Sequence, residues 1–221
     1  MLVARREQEL RQTIREFALD GFEAAAVPCD LTRRGEIATA CTRALDHFGA
    51  PDILVNAAGR TRREPTSETS EQDWAALIDT NLNGVLRACQ SFYPLLKESG
   101  HGRVINIASL GSYLAFHEVA AYCASKSAVL SLTRSLGCEW AQDGIVVNAI
   151  APGVFPTELN GHLLTGTERG REILQRTPLR RYGRTDEIVG TAVLLASDAA
   201  SFIIGQCFVV DGGYLAAGVN T

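Results

Sequence analysis

The sequence predicts an α/β fold in three layers, a parallel β-sheet with helices on both faces. Short runs such as Ile53–Ala57 and Ile145–Ala151 are largely apolar rather than alternating, which suits strands buried on both faces. These runs are separated by longer stretches whose apolar residues recur at helical spacing, the pattern of strands crossing over to parallel neighbours. No repeat, low-complexity stretch or linker divides the 221 residues, so residues 1–221 read as one domain, long enough for a full core.

The elements follow in order. Residues 4–19 are helical in character: Leu10, Ile14 and Phe17 share a face, Arg and Glu occupy the other, and Gly21 follows as a stop. Ala24–Cys29 reads as a short strand. Residues 33–48 form a second amphipathic helix with Ile37, Ala40, Ala44 and Phe48 inward, ended by Gly49 and Pro51. Ile53–Ala57 is the next strand, and residues 71–98 read as a long helix interrupted at Asn81 and Gly84. Asparagine is disfavoured inside helices. Asn81 is therefore either solvent-facing or the site of a kink whose freed backbone groups hold a water. Val104–Ala108 is a strand, residues 119–142 a second long helix, and Ile145–Ala151 a strand closed by Pro152 and Gly153. Shorter helices at 167–176 and 185–196 precede a last strand, Gln206–Val210.

Composition narrows the function. A net charge of −4 with no basic block argues against nucleic acid as the main partner. The N-terminal apolar run is too short for a signal peptide and no stretch approaches the ~18 apolar residues of a membrane span, so a cytoplasmic location is expected, with no membrane partner. The six cysteines include no C-x-x-C pair, and no His pair has metal-ligand spacing, so they read as scattered thiols in a reducing compartment and no metal is called for.

Ligands of parallel α/β sheets bind beyond the carboxyl ends of the strands. That singles out Asp30 and Leu31, Asn56 to Gly59, Ser109, and Pro152 to Thr157. Tyr122 and Lys126 add a pair at i, i+4, which share one helix face. A phenol with a pKa near 10 is a poor proton carrier at neutral pH, and a neighbouring ammonium favours its ionised form. Alone, the pair is weak, because such spacing is common on helix surfaces. Ser109 strengthens it by ending a strand whose hydroxyl can share a substrate oxygen with the phenol.

Asn56-Ala-Ala-Gly59, Asn81, Ile107-Ala-Ser109, Tyr122-Cys-Ala-Ser-Lys126, Val147-Asn-Ala-Ile-Ala-Pro152-Gly153 with Thr157, and Val210-Asp-Gly-Gly213 together resemble the short-chain dehydrogenase/reductase family, in its order and spacing. The resemblance implies a Rossmann-type, doubly wound parallel sheet. It implies hydride transfer between a nicotinamide and a secondary alcohol or ketone, with Tyr122 as general acid/base, Ser109 polarising the carbonyl, and Lys126 tuning Tyr122 and binding the nicotinamide ribose. Asn81 would hold a proton-relay water. Asp30 would contact the adenine, with Leu31 beside it. Asn56, Ala58 and Gly59 would line the adenosine ribose and phosphate path, while Pro152, Gly153, Val154 and Thr157 would hold the carboxamide and pyrophosphate.

The family's opening strand and glycine-rich phosphate turn are not in this sequence; roughly 30 residues are missing by the usual size of a β-α-β start. Leu2-Val3-Ala4 resembles the end of the family's second strand. The expectations are a fold lacking its first β-α unit, a sheet broken between the second and fourth strands of the family, and a native chain that extends upstream of Met1. Ala4 stands where an acid would bind the 2′-hydroxyl of NAD(H), and Arg5 follows it, which favours the 2′-phosphate of NADP(H). Arg62 and Arg63, followed by Glu64-Pro65, resemble the arginine pair of gluconate 5-dehydrogenases and 2-deoxy-gluconate dehydrogenases, as does Arg176 to Gly183, which implies a sugar acid or other polyol-like substrate. A 3-oxoacyl-thioester reductase and a non-catalytic subunit are the alternatives. The long helices at 71–98 and 119–142 resemble those of the family's tetramer interfaces, so a homo-oligomer, tetramer or dimer, is expected.

Overall fold

The structure is a computed structural model that describes residues 1–157 and 160–219. Leu2–Ala4 forms strand β1, so the first helix, α1, starts later than its periodicity suggested, at Glu7, and runs to Leu19. β1 withdraws those residues from the helix by pairing in parallel with β2 (Ala26–Pro28), Val3 opposite Val27. Then follow α2 (Arg34–Phe48), β3 (Ile53–Asn56), α3 (Glu71–Ile78), α4 (Gly84–Ser99), β4 (Arg103–Ile107), α5 (Ala120–Trp140) and β5 (Val146–Pro152). The chain continues through α6 (Gly161–Leu164), a one-turn helix that the periodicity did not reveal, α7 (Glu168–Arg176), α8 (Asp186–Ala196) and β6 (Cys207–Val210).

The sheet is parallel and in two parts, β1-β2 and β3-β4-β5-β6. The expected break is therefore present: β1 and β3 do not pair. Helices bridge it. α2 packs on α4, and one core unites Cys29, Ile37 and Ala44 on one side with Val85, Cys89, Leu96, Val104 and Val147 on the other. Leu31 is wedged in this seam, where a Cβ on Gly84 would stand 3.0 Å from its Cβ. On the opposite face α8 covers Ile105 and Ile150 through Leu195. Ile53 and Val55 of β3 stay 46% and 50% exposed.

The predicted interruption of the long helix is a π-turn. Asp79–Asn83 carries i→i+5 bonding between α3 and α4, so these run on as one helix with a bulge. Asn81 is fully buried, which rules out the solvent-facing reading. Ser70 caps α3 by accepting from Asp73 N at 3.0 Å.

Candidate active site

The carboxyl ends of β3, β4 and β5, the π-turn and the first turns of α5 converge on one point. β4 ends at Ile107 and the chain turns at Ser109, whose Oγ accepts from Gly111 N at 3.0 Å. That bond occupies an acceptor and leaves the hydroxyl proton for Tyr122. Gly111 permits the approach: a Cβ there would be 3.0 Å from Cys123 Sγ, on the first turn of α5. Ser112 fastens the two elements by donating to the Lys126 carbonyl at 2.8 Å, and Ser127 returns a bond to the Ser112 carbonyl at 3.2 Å.

Tyr122 and Lys126 share the predicted face, with Lys126 Nζ 6.0 Å from the centre of the Tyr122 ring. The electrostatics differ from the simple expectation. Burial pushes the Tyr122 phenol above its ordinary value of 10, and the Ser109 hydrogen bond only partly opposes this. Lys126, 4% exposed, is itself pushed down to about 8 by desolvation. Its ammonium donates to the Ile107 carbonyl at 2.7 Å, its hydrogen bond among the described residues. Desolvation of the phenol is the largest of the effects on Tyr122, ahead of the Ser109 hydrogen bond.

Asn81 closes the site from the π-turn. Its Oδ1 accepts from Arg60 N and its Nδ2 donates to the Arg60 carbonyl, both at 2.8 Å. Nδ2 also donates to Ser125 Oγ at 3.1 Å, and that hydroxyl donates to the Tyr122 carbonyl at 2.7 Å. The side chain thus ties the turn after β3 to the turn carrying Tyr122 and Lys126. Gly59 lies between them: a Cβ there would sit 3.5 Å from Asn81 Oδ1 and 3.6 Å from Lys126 Nζ. Ser125, fully buried, and Ser112 were not singled out from the sequence, although Ser125 sits within the Tyr122–Lys126 motif.

The remaining candidates divide by what their side chains do. Asn56 is turned into the core, donating to Asn106 Oδ1 at 2.9 Å and to Cys89 Sγ at 3.3 Å, while Ala58 is exposed. Asp30 accepts from the N–H and hydroxyl of Thr32, which hold its carboxyl below the usual range, and the charge of Arg5 adds to this. Arg5, exposed, follows β1, and its charge reaches Asp30 after β2. Pro152 ends β5 one strand over from Ser109, and Gly153 is glycine for packing, since a Cβ would meet Asp211 Cα at 2.6 Å. Val154 accepts from Gly183 N at 3.0 Å, and Thr157 N donates to Asn160 Oδ1 at 2.7 Å. Arg62 is held by Glu64, at 2.7 Å, and by Asp73; Arg63 by Glu118 at 2.6 Å.

A parallel α/β sheet with a serine, a tyrosine and a buried lysine meeting beyond its carboxyl ends defines an oxidoreductase of the nicotinamide-dependent type. The chain belongs to the short-chain dehydrogenase/reductase family. The family model described as enoyl-(acyl carrier protein) reductase matches residues 1–215. Gluconate 5-dehydrogenase of Gluconobacter oxydans is 36% identical over 213 residues, covering 96% of this chain and 83% of that protein. D-threitol dehydrogenase of Mycolicibacterium smegmatis is 40% identical over 186 residues, covering 84% and 71%. A crystal structure of a gluconate 5-dehydrogenase from Burkholderia cenocepacia in complex with NADP and tartrate superposes with a TM-score of 0.92 at 38% identity, covering 98% of this chain and 85% of that one.

Proposed function

We propose that the protein is an NADP(H)-dependent dehydrogenase that interconverts a secondary hydroxyl and a ketone on a sugar acid. The observation that carries this reading is the convergence of Ser109, Tyr122 and Lys126 around one small space. Ser109 donates a hydrogen bond to the reacting oxygen. Tyr122 gives that oxygen a proton when a ketone is reduced, and as phenolate takes the proton when an alcohol is oxidised. Lys126, with donors left beyond its bond to Ile107, suits ribose hydroxyls and brings positive charge toward the phenolate. The bound nicotinamide supplies or accepts the hydride. Arg5, directly after β1, suits a 2′-phosphate, and the Burkholderia relative was crystallised with NADP. Leu31, Ala58, Pro152, Val154 and Thr157 complete the proposed cofactor path.

The gluconate relatives support the sugar-acid substrate, and the threitol enzyme supports a neutral polyol as the second reading. A thioester reductase gains no support from these relatives, and a non-catalytic role leaves the buried Lys126 without a purpose. The same reading places the protein in the cytoplasm as a homo-oligomer, dimer or tetramer. The test is NADPH and NADH oxidation with 5-ketogluconate, a keto-polyol and an acetoacetyl thioester. Turnover of the keto acid with NADPH, lost in Tyr122→Phe, is expected. Turnover of the thioester alone would overturn the substrate class, and a strong preference for NADH would overturn the cofactor.

A further inference from the structure

Arg63 and Glu118 join the loop after β3 to the turn before α5. Arg63 Nε donates to Glu118 Oε2 at 2.6 Å, with the side chains 42% and 24% exposed. Glu118 precedes Tyr122 by four residues, and Arg63 follows Gly59 by four; a Cβ added at Gly59 would sit 3.6 Å from Lys126 Nζ, so the pair ties together the two segments that carry these residues of the site. The main chain is unusual here. Glu118 has a φ of 64°, the left-handed region that a Cβ disfavours and that clusters at ligand clamps. Two bonds hold it: Glu64 N–H donates to the Glu118 carbonyl at 2.9 Å, and Arg169 donates to the His117 carbonyl at 3.3 Å. Arg62 is different, because Glu64 and Asp73 both bind it. Among the described residues the Nη atoms of Arg63 have no hydrogen-bond partner, so Glu118 engages one of its donors and leaves the fork open.

We propose that Glu118 is a placeholder for the substrate's carboxylate, displaced from Arg63 when a sugar acid enters; this rests on the sugar-acid reading above. A free carboxylate can take two parallel bonds from the guanidinium where Glu118 takes one. The exchange is therefore downhill for an acid and offers nothing to a neutral polyol. Arg63 reads the acid, and Glu118 sets how strong a competitor the acid must be.

Direct binding tests this without turnover. Gluconate and the neutral polyol xylitol are titrated calorimetrically into the full chain, with and without NADP. Glu118→Gln is expected to tighten gluconate by about threefold to fivefold, the scale of a half-exposed ion pair, and to leave xylitol unchanged. Arg63→Gln weakens gluconate by about tenfold or more, with or without Glu118→Gln. Glu118→Asn, neutral and tolerant of the left-handed backbone, repeats the tightening and guards against a folding defect in Glu118→Gln. Gluconate bound equally or more weakly by both Glu118 variants overturns the placeholder and leaves the sugar-acid reading standing. Gluconate bound by no variant, whether or not xylitol binds, overturns the sugar-acid reading and the placeholder with it.

Discussion

Lys126 shows what a buried ammonium costs the fold. An ammonium that water would hold to an ordinary value of 10.5 is buried until it loses its proton at about 8. Below pH 8 the folded chain must keep that charge in its interior, with the Ile107 carbonyl as its hydrogen-bond partner. From about 8 to 10.5 the unfolded chain binds more protons than the folded one, so stability contributed by this site rises with pH across that window. Lys126→Met keeps the length and removes the charge. Its expected effect is to abolish turnover while raising the unfolding free energy at pH 7 by about 1–3 kcal/mol, with the gain vanishing toward pH 10.5. Urea unfolding at several pH values measures this; a variant less stable than its parent at pH 7 would show that the ammonium is fully compensated. Tyr122 faces the same penalty with opposite sign, because burial favours its neutral phenol. Ionisation at neutral pH therefore needs more stabilisation than the Ser109 hydrogen bond brings in this structure.

The π-turn is where an element and the site are made together. A regular helix through Asp79–Asn83 would not leave Asn81 reaching both Arg60 backbone groups and Ser125. Asn81→Ala removes three hydrogen bonds of a fully buried side chain and leaves the Arg60 N–H without its partner. The expected loss is about 1–3 kcal/mol, read as a lowered thermal midpoint, together with faster amide exchange at Arg60. Unchanged exchange at Arg60 would mean that the loop after β3 is held by other contacts. This element was half legible in the sequence: an asparagine and a glycine inside a helical pattern announced a break, and only packing decided that the break faces inward. The grouping of Ser109, Tyr122 and Lys126 was legible because its spacing is local to β4 and α5. The partners of Arg62 and Arg63 were not, since Glu118 is 55 residues from Arg63 in the chain and its approach depends on how two loops meet.

At the scale of the molecule, the sheet's division sets the limits. β4 and β5 are flanked on both sides and bury Val104, Ile105, Val147 and Ile150 almost completely. β1 and β3 each have one unpaired edge, and β1-β2 is a two-stranded unit of three residue pairs, a size with little stability of its own. The absence of a glycine-rich turn made this break readable from the sequence, whereas the α2–α4 seam that bridges it was not, because Leu31 against Gly84 is a contact between distant segments. Unpaired edges beside apolar side chains are templates for association. On β3 the backbone edge is accompanied by Ile53 and Val55, each about half exposed. Replacing them costs little burial and places charge where natural edge strands carry it. Ile53→Lys with Val55→Lys is expected to reduce concentration-dependent association in sedimentation experiments while leaving the circular dichroism spectrum unchanged. Undiminished association would move the adhesive surface away from β3, to the long helices α4 and α5 or to α8, where Val189 and Val193 are 54% and 60% exposed.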